Sequence, residues 1–413
     1  MKPIFMKNGK WKKWQIMLLS FLLVITVLVL VWPKSPNPPD SITNIAELEA
    51  YMNKLTDFGT PQGISLAVVR NNQIIYSKGF GWADRPRKIA ATPDAVYHWY
   101  SITKIVTAIA VFQLQEKGAL QFDDPVVRYL PFFKVRYPSD SGKIVTIRNL
   151  LNHSSGLPDA KFDLVKWVHY DGEPSVNQTA FVKKILPKYS KLMFEPGNYS
   201  QYTNIGYMVL GAIIEKVTGQ AYEDYVRQNI LVPLGMNHTD FIYTKTMEPY
   251  EAAGSNPVFN FNTLMIPFVR GKIVRESSQN HIWFNRFYND QTPPSGLIGS
   301  LADASRLAMA YLNNGELDGK RILSKESVFM MTHDGYKKAK KQKTRDTFRQ
   351  GFAWKTWSGP ERLVILHDGG GPGFFTKIQL FPDENLGFII FTNDVSNRDK
   401  INKIINLAAG LKW

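Results

Sequence analysis

The 413-residue chain contains no cysteine, and this absence excludes several classes of protein. Without a thiol there is no disulfide, no zinc thiolate site and no cysteine nucleophile. The cellular compartment therefore cannot be inferred from disulfides, and a lipid-modified N-terminal cysteine is excluded. Histidine is also scarce: seven residues form neither an HExxH motif nor a tight cluster. The sequence therefore predicts no metal site and no cofactor.

Acidic residues are fewer than basic ones, 35 against 50, which leaves a net charge of +15. An excess of this kind can favour nucleic acid or an anionic membrane surface. The lysines concentrate in two stretches, one within residues 1–15 and one at 337–343, and we interpret the second as a solvated loop. Nucleic-acid binding would require aromatic residues between the basic ones, and few lie there. The sequence predicts no nucleic-acid partner.

Charged residues are missing from residues 16–32, IMLLSFLLVITVLVLVW, a run just long enough for a bilayer-spanning helix. The lysines of residues 1–15 predict a cytoplasmic N-terminus. A cleaved signal peptide is the alternative, but residues 33–43 are proline-rich, typical of a stiff linker, and carry no A-x-A site. We therefore predict a single-pass signal anchor in the cell membrane. Residues 44–413 would form an extracytoplasmic domain, in the periplasm or at the cell surface.

Strand patterns at both ends of this domain enclose a helical middle. Two strand-like runs, 64–69 and 73–77, flank Asn71 and Asn72, which predicts a hairpin. Further predicted strands and helices follow the hydrophobic periodicity: strands at 351–357, 363–367, 376–381 and 388–392, and helices at 45–55, 101–116, 204–218, 223–230, 303–313 and 400–411. This order predicts an α/β (α+β) sandwich, with an antiparallel sheet flanked by helices beside a mostly helical lobe.

The segment 255–295 is aromatic and irregular. Such a composition is compatible with a lid over a pocket and equally with a packed insertion. The sequence does not distinguish the two.

Ser101 and Lys104 form an S-x-x-K tetrad at the start of a predicted helix. The spacing places both side chains on one helical face. A serine hydroxyl needs a base to become a nucleophile, and a lysine whose pKa is lowered by burial or by a nearby cation can act as that base. The same tetrad occurs by chance as a helix cap followed by a solvated lysine, so the motif alone does not decide.

Two further motifs carry candidate site residues. Tyr202 and Asn204 belong to a Y-x-N triplet before the apolar helix, where the tyrosine could exchange protons and the asparagine could hold a substrate amide or orient Lys104. Alone, the triplet also fits a packing tyrosine and a capping asparagine.

The third motif, HDGGG at 367–371, follows a strand-like run and is interpreted as a strand edge leading into glycines. Such glycines would let a substrate carbonyl approach the backbone closely. The amides of Ser101 and Gly370 would then form an oxyanion hole. The alternative is an ordinary hairpin loop.

S-x-x-K followed by a late Lys-Thr-Gly marks the penicillin-recognising serine enzymes. The chain resembles their class C-like branch, which comprises beta-lactamase-related proteins, DD-peptidases and related esterases. The resemblance covers about residues 44–413 and includes framework segments: GFGWAD at 79–84, DPVVRYLP at 124–131, TIRNLLNHSSGLP at 146–158 and PLGM at 233–236. His153, within NHSSG, is interpreted as structural.

The resemblance implies acyl transfer by a membrane-anchored serine hydrolase. Its nucleophile, base and tyrosine fall on Ser101, Lys104 and Tyr202, and its third motif falls on His367 to Gly369. Water would hydrolyse the acyl-enzyme. The implied substrate is a small molecule or a peptide, with cell-wall peptides among the candidates.

His367 departs from many beta-lactamases, which carry lysine at this position. A histidine is mostly uncharged at neutral pH, which weakens the grip on a substrate carboxylate. This favours a D-amino-acid peptide or an ester over a beta-lactam. The alternative is a catalytically silent surface protein with a binding or regulatory role, because a fold does not fix a function.

Overall fold

The computed structural model describes Met17, Leu18 and Ser20, then residues 34–333, 348–358 and 362–413. The predicted membrane anchor at 16–32, apart from those first three residues, and the lysine-rich stretch at 337–343 lie outside the described residues. Within the part that is described, no helix is long and apolar enough to cross a membrane. The chain divides into two units, residues 1–37 and 38–413, and the following description concerns the second.

Numbered in chain order, the strands that the structure describes are: β1 Gly63–Arg70, β2 Gln73–Asp84, β3 Ile89–Ala90, β4 Val96–His98, β5 Val168–His169, β6 Thr239–Asp240, β7 Ser255–Pro257, β8 Val274–Ser278, β9 His281–Phe284, β10 Tyr288–Asn289, β11 Ile298–Ser300, β12 Glu316–Leu317, β13 Lys320–Arg321, β14 Phe348–Gln350, β15 Lys355–Ser358, β16 Leu363–Gly371, β17 Phe374–Phe381 and β18 Leu386–Thr392.

The described α-helices are: α1 Ile45–Phe58, α2 Thr103–Glu116, α3 Val126–Tyr129, α4 Ile147–Leu151, α5 Gln178–Ile185, α6 Asn204–Thr218, α7 Tyr222–Val226, α8 Thr292–Ser295, α9 Leu301–Leu312, α10 Lys325–His333 and α11 Arg398–Ala408. Short 3-10 turns add Tyr100–Ile102, Lys161–Lys166, Leu186–Tyr189, Glu248–Tyr250, Phe261–Phe268 and Pro382–Glu384, and a π-helical turn spans Arg227–Leu231.

Both ends of the domain build the central sheet. Among the described residues, eight strands pair antiparallel in the order β14-β15-β16-β17-β18-β1-β2-β3. The C-terminal strand β18 pairs with the N-terminal strand β1 and so joins the two halves of the sheet. The predicted antiparallel sheet is therefore confirmed.

The central strand β1 is buried on both faces because helices cover the sheet on each side. Ile64, Leu66 and Val68 pack with the terminal helices α1 and α11. Ala67 and Val69, which point the opposite way, join the larger core that includes α2, α6 and α9. The sheet thus lies between a terminal helix pair and a helical lobe, which are the predicted layers.

The local predictions are confirmed where the hydrophobic period and the turn signals agree. Helix α6 has the predicted bounds and ends at Gly219, whose φ of +70° provides a left-handed cap. Asn71 and Asn72 both adopt positive φ angles, as a tight two-residue hairpin requires. The predicted helix 223–230 is only partly right, since α7 passes into a π-helical turn at Arg227.

HDGGG ends a strand, as predicted, and the alternative interpretation as a hairpin loop was wrong. Strand β16 continues through all five residues and pairs in register with β17, with His367 opposite Ile378 and Gly371 opposite Phe374. The turn comes later, at Pro372 and Gly373. Pairing along the full length of β17 outweighs the turn preference of the glycines, because the strand is central in the sheet.

Candidate active site

Ser101 lies in the 3-10 turn Tyr100–Ile102, immediately before α2. Tyr100 has a φ of +46°, a conformation that is uncommon for a bulky residue. The Tyr100 hydroxyl donates to the carbonyl oxygen of Pro372 at 2.7 Å, and the amide of Trp99 donates to that of Leu297 at 2.8 Å. These contacts hold the turn, and Ser101 lines an adjoining cavity of about 490 Å³.

Lys104 is fully buried, and its amine contacts three neutral oxygens. The Nζ atom lies 3.1 Å from Ser101 Oγ, 2.7 Å from Asn204 Oδ1 and 3.0 Å from the carbonyl oxygen of Pro294. No ion pair joins Lys104 to a carboxylate among the described residues. Burial holds the pKa of the Lys104 amine well below its usual value, and the positive charge of Lys355 lowers this pKa further, although Asp159 opposes the shift.

The hydrogen bonds of Asn204 fix which end of its amide faces Lys104. Its Nδ2 atom donates to Asp159 Oδ1 at 3.2 Å, and its backbone amide donates to the same oxygen at 2.9 Å. A carboxylate only accepts, so Nδ2 must face Asp159 and Oδ1 must face Lys104. Asn204 therefore orients Lys104, one of its two predicted roles.

Tyr202 lies beside both residues, with the Lys104 Nζ atom 4.8 Å from its ring centroid. Burial raises the pKa of the Tyr202 hydroxyl well above its usual value, and a hydrogen bond with Ser101 opposes this rise. His153 packs against the Tyr202 ring at a centroid distance of 4.4 Å and accepts the Thr203 amide at 3.3 Å. His153, interpreted from sequence as structural, thus supports the tyrosine.

Strand β16 passes directly against the serine turn. A Cβ atom on Gly369 would overlap the carbonyl oxygen of Trp99 and would lie 3.2 Å from the Ser101 amide nitrogen. Only a glycine allows this approach, which brings Ser101 and Gly370 to the wall of the same cavity. The structure therefore brings together the two residues whose amides were predicted to form an oxyanion hole.

His367 borders the same cavity and is 1% exposed. Its Nδ1 atom lies 2.9 Å from the carbonyl oxygen of Asp368, and Nε2 has no hydrogen-bond partner among the described residues. Burial and the nearby charge of Lys355 hold the pKa of His367 well below its usual value. The imidazole is neutral and supplies no fixed charge.

Sequence reasoning missed the charged wall of this cavity. Lys355, on β15, and Arg398, at the start of α11, line it together with Asp368. Asp368 Oδ1 lies 3.3 Å from Lys377 Nζ, and Asp368 Oδ2 lies 3.9 Å from Lys355 Nζ. Three cations thus surround one carboxylate. No local signal marks them, because the sheet and α11 bring them together from distant positions.

The seven predicted site residues therefore meet at one place, formed by the serine turn, α2, α6 and β16. Asn204 and Ser101 also line a second, smaller cavity, whose lining does not include Tyr202. Within the described residues, no group of three or more histidine, aspartate or glutamate side chains is arranged to hold a metal ion.

The family model described as Beta-lactamase matches residues 50–411. This chain belongs to the Beta-lactamase family. Among curated relatives, penicillin-binding protein 4* of Bacillus subtilis is 27% identical over 348 residues, which cover 83% of this chain and 71% of that one. Putative penicillin-binding protein PbpX of Bacillus subtilis is 33% identical over 221 residues, which cover 54% of this chain and 51% of that one. The match to this second relative spans about half of its length.

Solved structures show the beta-lactamase/transpeptidase-like fold directly. The octameric penicillin-binding protein homologue from Pyrococcus abyssi superposes with a TM-score of 0.71 at 25% identity, covering 89% of this chain and 77% of that one. D-amino acid amidase from Ochrobactrum anthropi SV3 superposes with a TM-score of 0.69 at 20% identity, covering 88% of this chain and 97% of that one. A class C beta-lactamase gives 0.67 at 19% identity, covering 89% and 96%. The last two show a shared fold within the Beta-lactamase family.

Proposed function

We propose that the chain is a membrane-anchored serine hydrolase that cleaves an amide or ester through an acyl-enzyme on Ser101. The observation that carries this proposal is the hydrogen bonding of Lys104. A neutral amine has two N–H donors and one lone pair. Asn204 Oδ1 and the Pro294 carbonyl accept two N–H bonds of Lys104. In the neutral amine, the lone pair would then be left for the Ser101 hydroxyl, whose oxygen lies 3.1 Å away.

In the proposed reaction, Ser101 Oγ bonds to the substrate carbonyl carbon as its proton passes to Lys104. The amides of Ser101 and Gly370 would stabilise the oxyanion. Tyr202 then protonates the leaving nitrogen or oxygen as its bond to carbon breaks, and Lys104 returns a proton to the tyrosine. In deacylation, water loses a proton to this pair and its oxygen bonds to the acyl carbon. The bond between the acyl carbon and Ser101 Oγ then breaks, Oγ regains a proton from the pair, and the acid is released.

The opposite pKa shifts of Lys104 and Tyr202 support their roles as base and acid. A lowered pKa shifts Lys104 towards its unprotonated form, in which it acts as a base. A tyrosine whose pKa is raised stays protonated and acts as an acid. Burial is the main cause in both cases, because a dry site disfavours the charged form of each group.

Charge at the larger cavity supports a leaving group that carries a carboxylate. Two cations, Lys355 and Arg398, line the cavity beside the single acid Asp368, which also contacts Lys377, although His367 is neutral. Such a wall suits the free carboxylate of a peptide, including a D-amino-acid peptide from the cell wall, and also tolerates simple esters. A beta-lactam remains the poorer substrate in this proposal.

The anchor at 16–32 and the extracytoplasmic position of the domain belong to the same proposal. They rest on the uncharged run and on the preceding lysines. Cell-wall peptides are substrates that a surface-tethered enzyme would meet.

The proposal is tested by mixing the full chain with p-nitrophenyl acetate and with a D-Ala-D-Ala peptide, and then quenching within the first turnover. We expect a nitrophenolate burst and an acyl mass increment on the peptide that contains Ser101, with neither in Ser101→Ala. Normal folding without burst, acylation or turnover would instead support a silent binding protein.

A further inference from the structure

Asp159 directly follows the framework segment 146–158 and belongs to none of the three site motifs. A hydrogen bond holds the end of this segment against the start of α6, since the Thr203 hydroxyl donates to the carbonyl oxygen of Pro158 at 3.0 Å. The carboxylate of Asp159 is thereby placed beside Asn204, the first residue of α6.

Within the described part of the chain, the hydrogen bonds of Asp159 all come from Asn204. Asp159 Oδ1 accepts from the Asn204 backbone amide at 2.9 Å and from its Nδ2 atom at 3.2 Å, and Oδ2 lies 3.5 Å from the same Nδ2. Nδ2 cannot turn towards Lys104 without losing these contacts. The carboxylate therefore keeps Asn204 Oδ1, an acceptor, 2.7 Å from the amine of Lys104.

This orientation of the Asn204 amide suits both protonation states of Lys104. A neutral amine and an ammonium can each donate to Oδ1. A reversed amide would present N–H donors instead, which would occupy the lone pair of the neutral amine and repel the ammonium. Asp159 thus excludes an arrangement in which Lys104 could not act as a base.

The charge of Asp159 also acts on Lys104. Among the described residues, Asp159 supplies the negative charge and Lys355 the positive charge that act on the amine. Burial raises the pKa of the tyrosines and lowers the pKa of the histidines around Lys104, so four further titratable side chains are uncharged near neutral pH: Tyr202, Tyr207, His153 and His367. Removal of the charge at Asp159 therefore changes the free energy of protonating Lys104.

In the proposed reaction, an ammonium forms at Lys104 during acylation. As Ser101 Oγ bonds to the substrate carbonyl carbon, its proton passes to the amine, and a positive charge appears in a site from which water is excluded. A nearby negative charge stabilises this state more than the preceding neutral one. The aspartate of a Ser-His-Asp triad likewise orients its base and stabilises the cation that forms.

We propose that Asp159 is a positioning residue for acyl transfer: through Asn204 it fixes the acceptor that faces Lys104, and by its charge it stabilises the ammonium that forms when Ser101 loses its proton. This role rests on the proposed hydrolase function and adds to it a residue that contacts neither Ser101 nor the substrate.

The test measures kcat/KM of the full chain for p-nitrophenyl acetate as a function of pH. Nitrophenolate leaves without a proton, so the acid limb of the profile reports the base and not Tyr202. Asp159→Asn keeps an acceptor oxygen for Asn204 but removes the charge. Loss of a nearby negative charge lowers the pKa of Lys104, so we expect the acid limb to move to lower pH. The plateau should fall about three- to tenfold, because a weaker base takes the proton less readily.

Asp159→Ala removes the acceptor as well and allows the Asn204 amide to reverse. We expect the acid limb to move in the same direction and the plateau to fall about ten- to hundredfold. The matched control is Asp240→Asn, because Asp240 also accepts from a backbone amide and a side chain, those of Phe241 and Arg227, and is not among the described residues that line either cavity. Its acid limb and plateau should equal those of the wild type.

An acid limb that stays in place or moves to higher pH in Asp159→Asn would overturn the proposal, since a merely structural role would lower the plateau without moving the limb. A plateau for Asp159→Ala no lower than that of Asp159→Asn would also overturn it. In both cases the wild type still turns over the ester, so the hydrolase stands. If the wild type neither turns over the ester nor forms an acyl-enzyme, the hydrolase and the role of Asp159 are both overturned. Because the position of the limb does not depend on the amount of folded protein, a variant that folds in low yield still gives a decisive result.

Discussion

At the scale of single residues, Lys104 combines full burial with the absence of an ion-paired carboxylate among the described residues. Asp159 acts on it through its charge and through Asn204, which accepts from the lysine with one end of its amide and donates to the acid with the other. Exclusion of water therefore favours the neutral form of the amine. The pH dependence of the free energy of unfolding should therefore report on the protonation of Lys104, as the pH dependence of activity does.

The first prediction concerns the pH dependence of stability. The folded pKa of Lys104 is depressed, so unfolding takes up a proton at pH values between this folded pKa and the ordinary lysine pKa. Lys104 therefore makes stability rise with pH between its folded pKa and roughly 10.4, at about 1.4 kcal/mol per unit. In urea unfolding at pH 7 and pH 9, the free energy of unfolding of wild type minus Lys104→Met should become more positive at pH 9. Gln113→Met, which removes no titratable group, should keep the wild-type pH dependence. A pH-independent difference for Lys104→Met would contradict a neutral buried amine.

The second prediction concerns Lys355, whose charge lowers the pKa of Lys104. Since the base must be unprotonated, kcat/KM falls as the pH drops through that pKa. Lys355→Met removes the repulsion, raises the pKa of Lys104 and should move the acid limb of the pH profile to higher pH. It should also raise KM for carboxylate-bearing peptides more than for neutral esters.

Lys403→Met removes the same charge from an exposed lysine paired with Asp40, and it should leave the acid limb in place. An acid limb that moves equally in both variants would show an effect of net charge. An acid limb that moves in neither variant would show that Lys355 does not affect the pKa of Lys104.

At the scale of elements, the site depends on how closely α6 approaches α8. A Cβ atom on Gly211 of α6 would overlap the ring of Pro293, the residue before the one whose carbonyl binds Lys104. Gly206, on the same helix, has its closest such neighbour at 3.4 Å, an ordinary contact. The two glycines therefore form a matched pair.

The third prediction follows from this pair. Gly211→Ala should push α8 away, destabilise the fold by about 1–3 kcal/mol and reduce kcat. Gly206→Ala should be neutral or should stabilise by up to about 1 kcal/mol, since alanine favours a helix. Denaturant midpoints and ester turnover check both. Equal effects would show that the approach of α8 does not constrain the site.

Elements with a strong local signal could be predicted from sequence. Helix α6 has an apolar stripe and a glycine stop, and the β1-β2 hairpin has two asparagines that accept positive φ angles. The glycines of β16 have a turn-like composition, but their pairing with β17 and their contact with the serine turn are long-range. A single sequence contains no signal for such pairing, which is why the sequence left a hairpin loop as an alternative.

The same reasoning explains which parts of the candidate site could be predicted. Ser101, Lys104, Tyr202 and His367 belong to motifs with a chemical meaning at short spacing. Lys355, Gln291 and the Pro294 carbonyl do not, because each reaches the site only through the sheet or through α8. In the sequence, Lys355 and Gln291 are a lysine and a glutamine that belong to no motif.

At the scale of the whole molecule, the prediction concerns the segment before the domain. If residues 16–32 anchor the chain, the full protein should remain in the membrane pellet after carbonate washing. Protease added outside intact cells should digest the domain while residues 1–15 stay protected. Release of the chain by carbonate would contradict the anchor, and a protected domain would contradict the orientation.

The most direct test of the central claim is covalent labelling of the full chain with a fluorophosphonate, followed by intact mass and peptide mapping. An activated serine reacts with this probe, whereas an ordinary hydroxyl does not. We predict one adduct, on Ser101, which is absent in Ser101→Ala and strongly reduced in Lys104→Met. Well-folded protein that takes no label, or that is labelled equally in Lys104→Met, would contradict the account.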